Sequence, residues 1–312
     1  MGAFEGWQPT SGLAPRSIDV AGTPRTSWLA KPSEPGAPLL VVFHGLGMNG
    51  KNMAAFTGLA QRGPALGFAV VFPDGWDEVW DGGGRLPGRD GVDDPGFIRA
   101  LVAALIAEGV ARDGPVSLVG ISNGALFAEH LGRHALLAVS GLVLVSGTTT
   151  KASRDGPPRP GQQAAVLCFE GTGDPTMPYE GGRIGGRGFL GMIAAHRARQ
   201  RRETGDGRVA VAAERVALDS AAGNGGPAEL SAEPLPPDRT DLPVTKLSSS
   251  APGRPAVVLY RIEGGGHGWP GGPQEMPSRL IGPIPSELDA TGIMLEMARA
   301  ELGWPGPNAS TT

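Results

Sequence analysis

The most constraining stretch of this sequence is a serine flanked by glycines between a predicted strand and a predicted helix. Residues 116–119 form an apolar run typical of a buried strand, and the residues from Ala125 onward favour a helix. Between them lies Gly120-Ile121-Ser122-Asn123-Gly124, a G-x-S-x-G pattern. Strand and helix can pass this closely only if the flanking positions lack side chains, and the turn then presents the serine hydroxyl clear of the backbone. The pattern predicts a nucleophile elbow; because the chain has 51 Gly, a plain glycine-rich turn is the alternative.

Predicted strands alternate with predicted helices along most of the chain. The apolar runs typical of covered strands are residues 39–43, 68–72, 142–145, 164–169 and 256–262, and helical patterns occupy residues 95–111, 189–202 and 288–302. Residues 18–20 and 26–30 indicate antiparallel edge strands. This alternation predicts an α/β architecture, a mostly parallel central sheet with helices on both faces. In such sheets the functional site lies at the carboxyl ends of the strands.

The domain organisation follows from composition along the chain. We expect a single domain over residues 1–312, with its core at about 38–302. Residues 205–255 are rich in Pro, Ala, Ser and Gly, and among them only 209–218 have strand-like character. They predict a flexible insertion before the last strand, near the mouth of the site. The tail, residues 305–312, is expected to fray.

Two further residues complete a candidate catalytic set with the serine. A serine hydroxyl is a weak nucleophile at neutral pH and needs a base that a carboxylate orients. Asp174 follows a predicted strand, and His267 lies in a glycine-flanked loop after the last one. The order Ser122, Asp174, His267 is nucleophile, acid, base, as in the α/β-hydrolase fold. Glu170 and Glu263 are rival acids, and a plain Asp-Pro turn is the alternative for the aspartate.

Acyl transfer also needs two N–H donors for the oxyanion of the tetrahedral intermediate. The predicted donors are the amides of Asn123, directly after the serine, and Leu46, in the loop after the early strand. His44 precedes that loop and is expected to order its backbone. A simple strand-ending turn is the alternative for His44-Gly45.

Three tryptophans lie in predicted loops near the site. Trp80 and Trp269 are the predicted substrate-binding residues, because an aromatic face can stack on a planar acyl group or a sugar ring. For Trp76 we favour a structural role.

Composition excludes several classes of partner. A net charge of −4 and a pI near 5.8 argue against nucleic-acid and anionic-membrane partners. The single cysteine, Cys168, lies in an apolar run and predicts a buried, inert thiol. No Cys/His grouping has metal spacing and no glycine-rich stretch is a phosphate loop, so we expect neither a metal nor a cofactor. The first residues lack a secretory pattern, which favours a cytoplasmic protein.

Together these motifs resemble the polyhydroxybutyrate depolymerase/feruloyl esterase family of serine α/β-hydrolases, over about residues 38–302. The matching stretches are His44-Gly45, Pro73-Asp74-Gly75 with Trp80, Asp93-Asp94-Pro95-Gly96-Phe97, the serine pentapeptide, Gly171-Thr172-Gly173-Asp174-Pro175 with Pro178-Tyr179-Glu180-Gly181-Gly182, and residues 262–271. The resemblance implies ester hydrolysis by Ser122, Asp174 and His267 without a cofactor. It also implies feruloyl, acetyl-sugar or short hydroxyalkanoate esters as substrates.

The chain departs from that family at two places. Many secreted relatives carry a cysteine just after the early His-Gly, where this chain has Leu46 and no second cysteine for a disulfide. This difference favours a reduced compartment. Gly268 replaces a bulkier residue that is frequent beside the histidine.

The sequence therefore predicts a serine carboxylic-ester hydrolase that forms an acyl-enzyme with a small-molecule or oligomeric ester substrate. A prolyl-oligopeptidase-like serine peptidase is the runner-up, although nothing in the chain resembles a propeller domain. A non-catalytic binding protein with a hydrolase fold is the third hypothesis, against which the intact order of serine, aspartate and histidine argues.

Overall fold

A computed structural model of the chain describes residues 12–81, 91–148, 164–185, 209–210, 213, 230–249 and 255–301. These residues form a ten-stranded sheet and a separate two-stranded ribbon, with helices packed on the large sheet. The strands are β1 (Ala14–Val20), β2 (Thr23–Ala30), β3 (Leu39–Phe43), β4 (Ala69–Pro73), β5 (Val116–Ile121), β6 (Val139–Val145), β7 (Ala165–Gly171), β8 (Gly182–Arg183), β9 (Val209–Ala210), β10 (Ser231–Pro234), β11 (Val244–Ser249) and β12 (Val257–Ile262). The helices are α1 (Gly50–Thr57), α2 (Leu59–Ala65), α3 (Asp94–Ala107), α4 (Asn123–Arg133), α5 (Ser278–Ile281) and α6 (Ala290–Glu301), with a 3₁₀ turn at Trp76–Glu78.

The large sheet has the order β1-β2-β4-β3-β5-β6-β7-β12-β11-β10. Its six central strands, from β4 to β12, pair in parallel. The outer strands β1, β2, β11 and β10 pair antiparallel. This mostly parallel sheet confirms the predicted fold class, and its strand order is that of the α/β-hydrolase fold.

Side chains of the central strands alternate between two apolar cores. In β3, Val41 and Phe43 pack with residues of α3 and α4, whereas Leu40 and Val42 pack with residues of α1, α2 and α6. Each fully buried side chain of this size contributes about 1.5–3 kcal/mol to folding. Helices therefore cover both faces, as predicted, and they leave the carboxyl ends of the parallel strands for loops.

The prediction for residues 205–255 is wrong in one respect. Beyond residue 218 we expected no strand, but β10 and β11 extend the sheet beside the last parallel strand. Their sequences hide this role because β11 buries only Val244 and Leu247, and β10 is fully exposed with a proline at its end. A proline is tolerated on an edge strand because its missing N–H faces solvent.

Two predictions concern other parts of the chain. The predicted helix at 189–202 and the predicted frayed tail at 305–312 lie outside the described residues. In the part of the chain that the structure describes, no helix has the length and apolar character needed to cross a bilayer.

A buried ion pair connects β2 to α3. Arg25 Nη2, on β2, lies 2.8 Å from Asp94 Oδ1, and the two side chains are 5% and 0% exposed. The other carboxylate oxygen accepts a hydrogen bond from the Asp81 amide, and the guanidinium lies 4.2 Å from the centre of the Phe97 ring. Removing one member of such a pair leaves an uncompensated buried charge.

We expect Asp94→Ala to lower the free energy of unfolding by about 3–5 kcal/mol, because Arg25 stays buried without its carboxylate. Urea denaturation followed by circular dichroism measures the loss. Arg62→Ala is the control: the Arg62–Asp289 pair is exposed on both sides, so its removal should cost less than about 1 kcal/mol. Equal losses in the two variants would contradict the assignment.

Candidate active site

Ser122 stands on a strained turn between β5 and α4. Its backbone has φ 55° and ψ −118°, a conformation that residues other than glycine rarely adopt. The flanking glycines explain how the turn closes: a Cβ on Gly120 would lie 2.3 Å from the Gly124 carbonyl oxygen, and a Cβ on Gly124 would lie 2.5 Å from the Phe43 carbonyl oxygen. The Ser122 amide donates to the carbonyl of Val145, at the end of β6. The sharp strand–turn–helix junction expected from the pentapeptide is therefore present.

The structure brings the three predicted side chains together. His267 Nε2 lies 2.9 Å from Ser122 Oγ, and His267 Nδ1 lies 2.7 Å from Asp174 Oδ2. The imidazole and the carboxylate are buried, whereas the serine is half-buried. A proton on Nδ1, directed at Asp174, leaves the Nε2 lone pair facing the serine hydroxyl.

Asp174 is held in this orientation by its own loop. Its second oxygen, Oδ1, accepts hydrogen bonds from the amides of Thr176 (2.7 Å) and Met177 (2.9 Å). The two rival acids have other partners. Glu170 accepts from the Gly147 amide, and Glu263 accepts from the Thr172 hydroxyl.

His267 is placed through main-chain contacts. Its amide donates to the Ile281 carbonyl, and the Gly266 amide donates to the Pro283 carbonyl. Gly266 allows this contact, because a Cβ there would lie 2.1 Å from the Ile281 oxygen. Burial opposes protonation of the ring, but the Asp174 carboxylate and, more weakly, Glu275 outweigh it and raise the pKa of His267 above 6.5.

The two amides predicted for the oxyanion lie in the loop after β3 and at the first residue of α4. Among the described residues, neither Leu46 N–H nor Asn123 N–H donates to a protein acceptor. The Leu46 loop is fixed by a hydrogen bond from the Gly47 amide to the Glu78 carbonyl (2.9 Å). The oxyanion assignment stays a prediction.

The Asn123 side chain has a role that the sequence did not indicate. Its Oδ1 accepts from the Trp80 amide (2.7 Å), and its Nδ2 donates to the Trp80 carbonyl (3.0 Å). The elbow is thereby joined to the loop after β4. In that loop Asp77 and Glu78 both have φ 59°, so two residues with side chains occupy left-handed backbone.

His44 orders backbone, as expected. Its Nδ1 donates to the Gly45 carbonyl (2.8 Å), and its Nε2 accepts from the Gly75 amide (2.9 Å). Burial lowers the pKa of His44 to about 4, so the ring stays neutral. A neutral ring with one donor and one acceptor bridges the loops after β3 and β4.

The prediction that Trp80 and Trp269 bind substrate is wrong. Trp80 is 0% exposed and stacks on Phe127 with ring centres 5.0 Å apart. Trp269 is 1% exposed, and its indole N–H donates to the Thr291 hydroxyl. Both rings fill the core instead of facing a ligand, because their large apolar area is worth more when buried. Trp76, which we expected to be a partly buried structural residue, is 43% exposed, and the Arg25 guanidinium lies 6.0 Å from its ring centre.

A small apolar cluster near the serine was not recognised from the sequence. Leu126, Met177 and Ile184 pack together, with the half-buried Leu46 against them. The methyl group of Met177 lies 3.3 Å from the position of a Cβ on Gly147, a point only 3.4 Å from the Ser122 Cα. One sequence feature could have indicated this cluster: Met177 follows the predicted acid Asp174 by three residues and so lies in the same loop. Within the described residues, no group of three or more His, Cys, Asp or Glu side chains could hold a metal ion.

Comparison with known proteins fits this geometry. No protein-family model matches the chain. A protein of Nocardia uniformis subsp. tsuyamanensis named "Putative esterase NocK" is 27% identical over 284 residues, which span 88% of this chain and 78% of that protein. This chain is an esterase-like hydrolase.

Solved structures align with the esterase-like hydrolase over part of its length. The S-formylglutathione hydrolase FrmB of Staphylococcus aureus has a TM-score of 0.41 at 11% identity, over 52% of this chain and 80% of that chain. A thermostable esterase has a TM-score of 0.41 at 14% identity, over 60% and 52%. The fold is assigned from the strand order of the large sheet and not from these partial superpositions.

The buried carboxyl of Glu170 should make the free energy of unfolding depend on pH. Burial raises the pKa of this carboxyl well above 4.5, so the folded protein holds a proton that the unfolded chain releases. The free energy of unfolding should therefore fall as the pH rises above about 4.5, by up to about 1.4 kcal/mol per pH unit. Glu170→Gln, which keeps an acceptor for the Gly147 amide, should abolish this contribution. Urea denaturation between pH 5 and 8 measures it, with the exposed Glu34→Gln as control; an unchanged slope in Glu170→Gln would contradict the prediction.

Proposed function

We propose that this esterase-like hydrolase is a serine carboxylic-ester hydrolase with Ser122, His267 and Asp174 as its catalytic triad. The observation that carries the proposal is the pair of short contacts from one imidazole, 2.9 Å to the serine hydroxyl and 2.7 Å to the carboxylate. Nucleophile, base and orienting acid in this arrangement are the requirement for acyl transfer through serine.

In the proposed reaction the Ser122 hydroxyl attacks the ester carbonyl while His267 Nε2 accepts its proton. The amides of Leu46 and Asn123 donate to the oxyanion of the tetrahedral intermediate. The imidazolium then gives the proton to the leaving alcohol, and an acyl-serine remains. Water, deprotonated by the same imidazole, attacks the acyl-serine. The imidazolium then returns this proton to Ser122 Oγ as the acid is released, so the hydroxyl and the neutral imidazole are restored.

Asp174 keeps the imidazole in the useful tautomer. It accepts the Nδ1 proton and stabilises the positive charge that forms on the ring during each proton transfer. Its other oxygen is occupied by two backbone amides, so the carboxylate cannot rotate away without losing those bonds.

For the substrate we propose a small or oligomeric ester with a short aliphatic acyl group, such as acetyl or hydroxybutyryl. The apolar cluster of Leu46, Leu126, Met177 and Ile184 has no aromatic member, and its Met177 methyl group lies close to the Ser122 turn. The tryptophans expected to stack on a feruloyl group are buried in the core. Within the esterases that the sequence resembles, these observations favour the hydroxyalkanoate and acetyl esterases over the feruloyl esterases.

We expect Ser122→Ala to lose about 10⁶-fold in kcat on p-nitrophenyl acetate and butyrate, because no nucleophile remains. A fluorophosphonate probe should label the natural protein and leave this variant unlabelled. Turnover by Ser122→Ala within about 10²-fold of that of the natural protein would contradict the assignment. An unlabelled natural protein would favour a non-catalytic binding protein, and faster cleavage of amides than of matched esters would favour a peptidase.

The pH dependence of the reaction follows from the raised pKa of His267. The base must be neutral, so kcat/KM should decrease as the pH falls through a pKa above 6.5. Asp174→Asn removes the charge that holds this pKa up, so it should move the inflection to lower pH and reduce kcat by about 10⁴-fold. Initial rates between pH 5 and 9 test both effects. An inflection that stays in place in Asp174→Asn would show that another group controls the acidic limb.

A further inference from the structure

Ser146, directly after β6, contacts the loop that carries His267. Its hydroxyl lies 3.1 Å from both the amide nitrogen and the carbonyl oxygen of Gly268. It accepts a hydrogen bond from the first and donates one to the second. The side chain is 1% exposed, so these bonds are shielded from water.

The backbone around Ser146 also contacts the nucleophile. The carbonyl of Val145 accepts from the Ser122 amide, and a Cβ on Gly147 would lie 3.0 Å from the Ser122 carbonyl oxygen. Two bonds from β7 fix this turn: the Ser146 amide donates to the Phe169 carbonyl, and the Gly147 amide donates to Glu170 Oε1. One turn therefore abuts the serine on one side and holds the histidine loop on the other.

Ser146 adopts a backbone conformation that is unfavourable for a residue with a side chain. Its φ is 49°, where glycine would be preferred. Residues with this strain often lie at functional sites, where the surrounding structure compensates for the cost. A glycine would relieve the strain but remove the hydroxyl. A threonine would add a branched side chain that this conformation tolerates poorly.

The histidine loop needs such an external tie. Gly268 has no side chain, and a Cβ there would lie 2.5 Å from the Ile284 side chain. Beyond the ring itself, the loop is placed by bonds of its backbone. Those of His267 and Gly266 run to residues 281–283, and those of Gly268 run to the Ser146 hydroxyl.

We propose that Ser146 is a positioning residue that sets the separation between Ser122 and His267 by tying Gly268 to the end of β6. The inference rests on the proposed function, because it concerns the alignment of the nucleophile with its base. Ser146 does not touch the reacting atoms. Its effect is to hold the imidazole at hydrogen-bonding distance from the serine in each turnover.

Ser146→Ala and Ser146→Gly test the proposal. Both remove the hydroxyl, and the glycine variant also relieves the backbone strain. We expect kcat on p-nitrophenyl acetate to fall by about 10²-fold in both, the effect of a displacement near 1 Å at a reacting group, while KM changes less than about 2-fold. The rate of fluorophosphonate labelling should fall in parallel with kcat.

Ser140→Ala is the matched control. Ser140 lies near the start of the same strand, and its hydroxyl donates to the Val116 carbonyl at 3.3 Å, away from the histidine loop. This variant should keep the natural kcat and labelling rate. The melting temperatures of all three variants show whether a fall in kcat comes from misalignment of the catalytic groups or from a loss of stability.

The outcomes are distinguishable. If the natural protein is not labelled at Ser122, the proposed function fails. If it is labelled and both Ser146 variants keep kcat within about 3-fold, only the positioning role is overturned. Unfolding of both variants, or a rise in KM with kcat unchanged, would also overturn it.

Discussion

The close approach of β3, β5 and α4 is the constraint on which the site depends. At Gly120 and Gly124 the backbones come so near that any Cβ would overlap a carbonyl group. This contact forces the turn at Ser122 into its strained conformation and brings the start of α4 beside the end of β3. Backbone packing alone therefore places the serine next to the loop that bears Leu46, without the help of a polar interaction.

The remaining parts of the site are attached to this contact from neighbouring strands. β7 supplies the loop of Asp174, β12 the loop of His267, and β6 the turn that contacts Ser122. Parallel strands carry their carboxyl ends to one edge of the sheet, so groups far apart in sequence meet there. Main-chain hydrogen bonds then fix the loops, with the histidine loop held by its own amides rather than by side-chain packing alone.

The sequence predicted what depends on backbone sterics and on the order of residues. Glycines flank Ser122 and His267, and the order of Ser122, Asp174 and His267 matched a known fold, so the geometry was foreseeable. Burial of single aromatic rings was not, because a loop position does not reveal whether Trp80 points inward. Strand β11 was missed because only Val244 and Leu247 in it are buried. Ser146 was also missed, because the placement of its hydroxyl depends on a left-handed φ that cannot be predicted from the presence of a serine.

The turn at Asp77 and Glu78 has a consequence for the durability of the protein. Two adjacent left-handed residues with side chains hold conformational energy of about 1–3 kcal/mol each. Their turn also supplies the carbonyl that steadies the Leu46 loop through Gly47. A substitution that relaxes this turn would therefore raise thermal stability but would also release the loop that bears Leu46. Selection for thermal stability alone would favour such substitutions, with a loss of order in the loop beside Ser122.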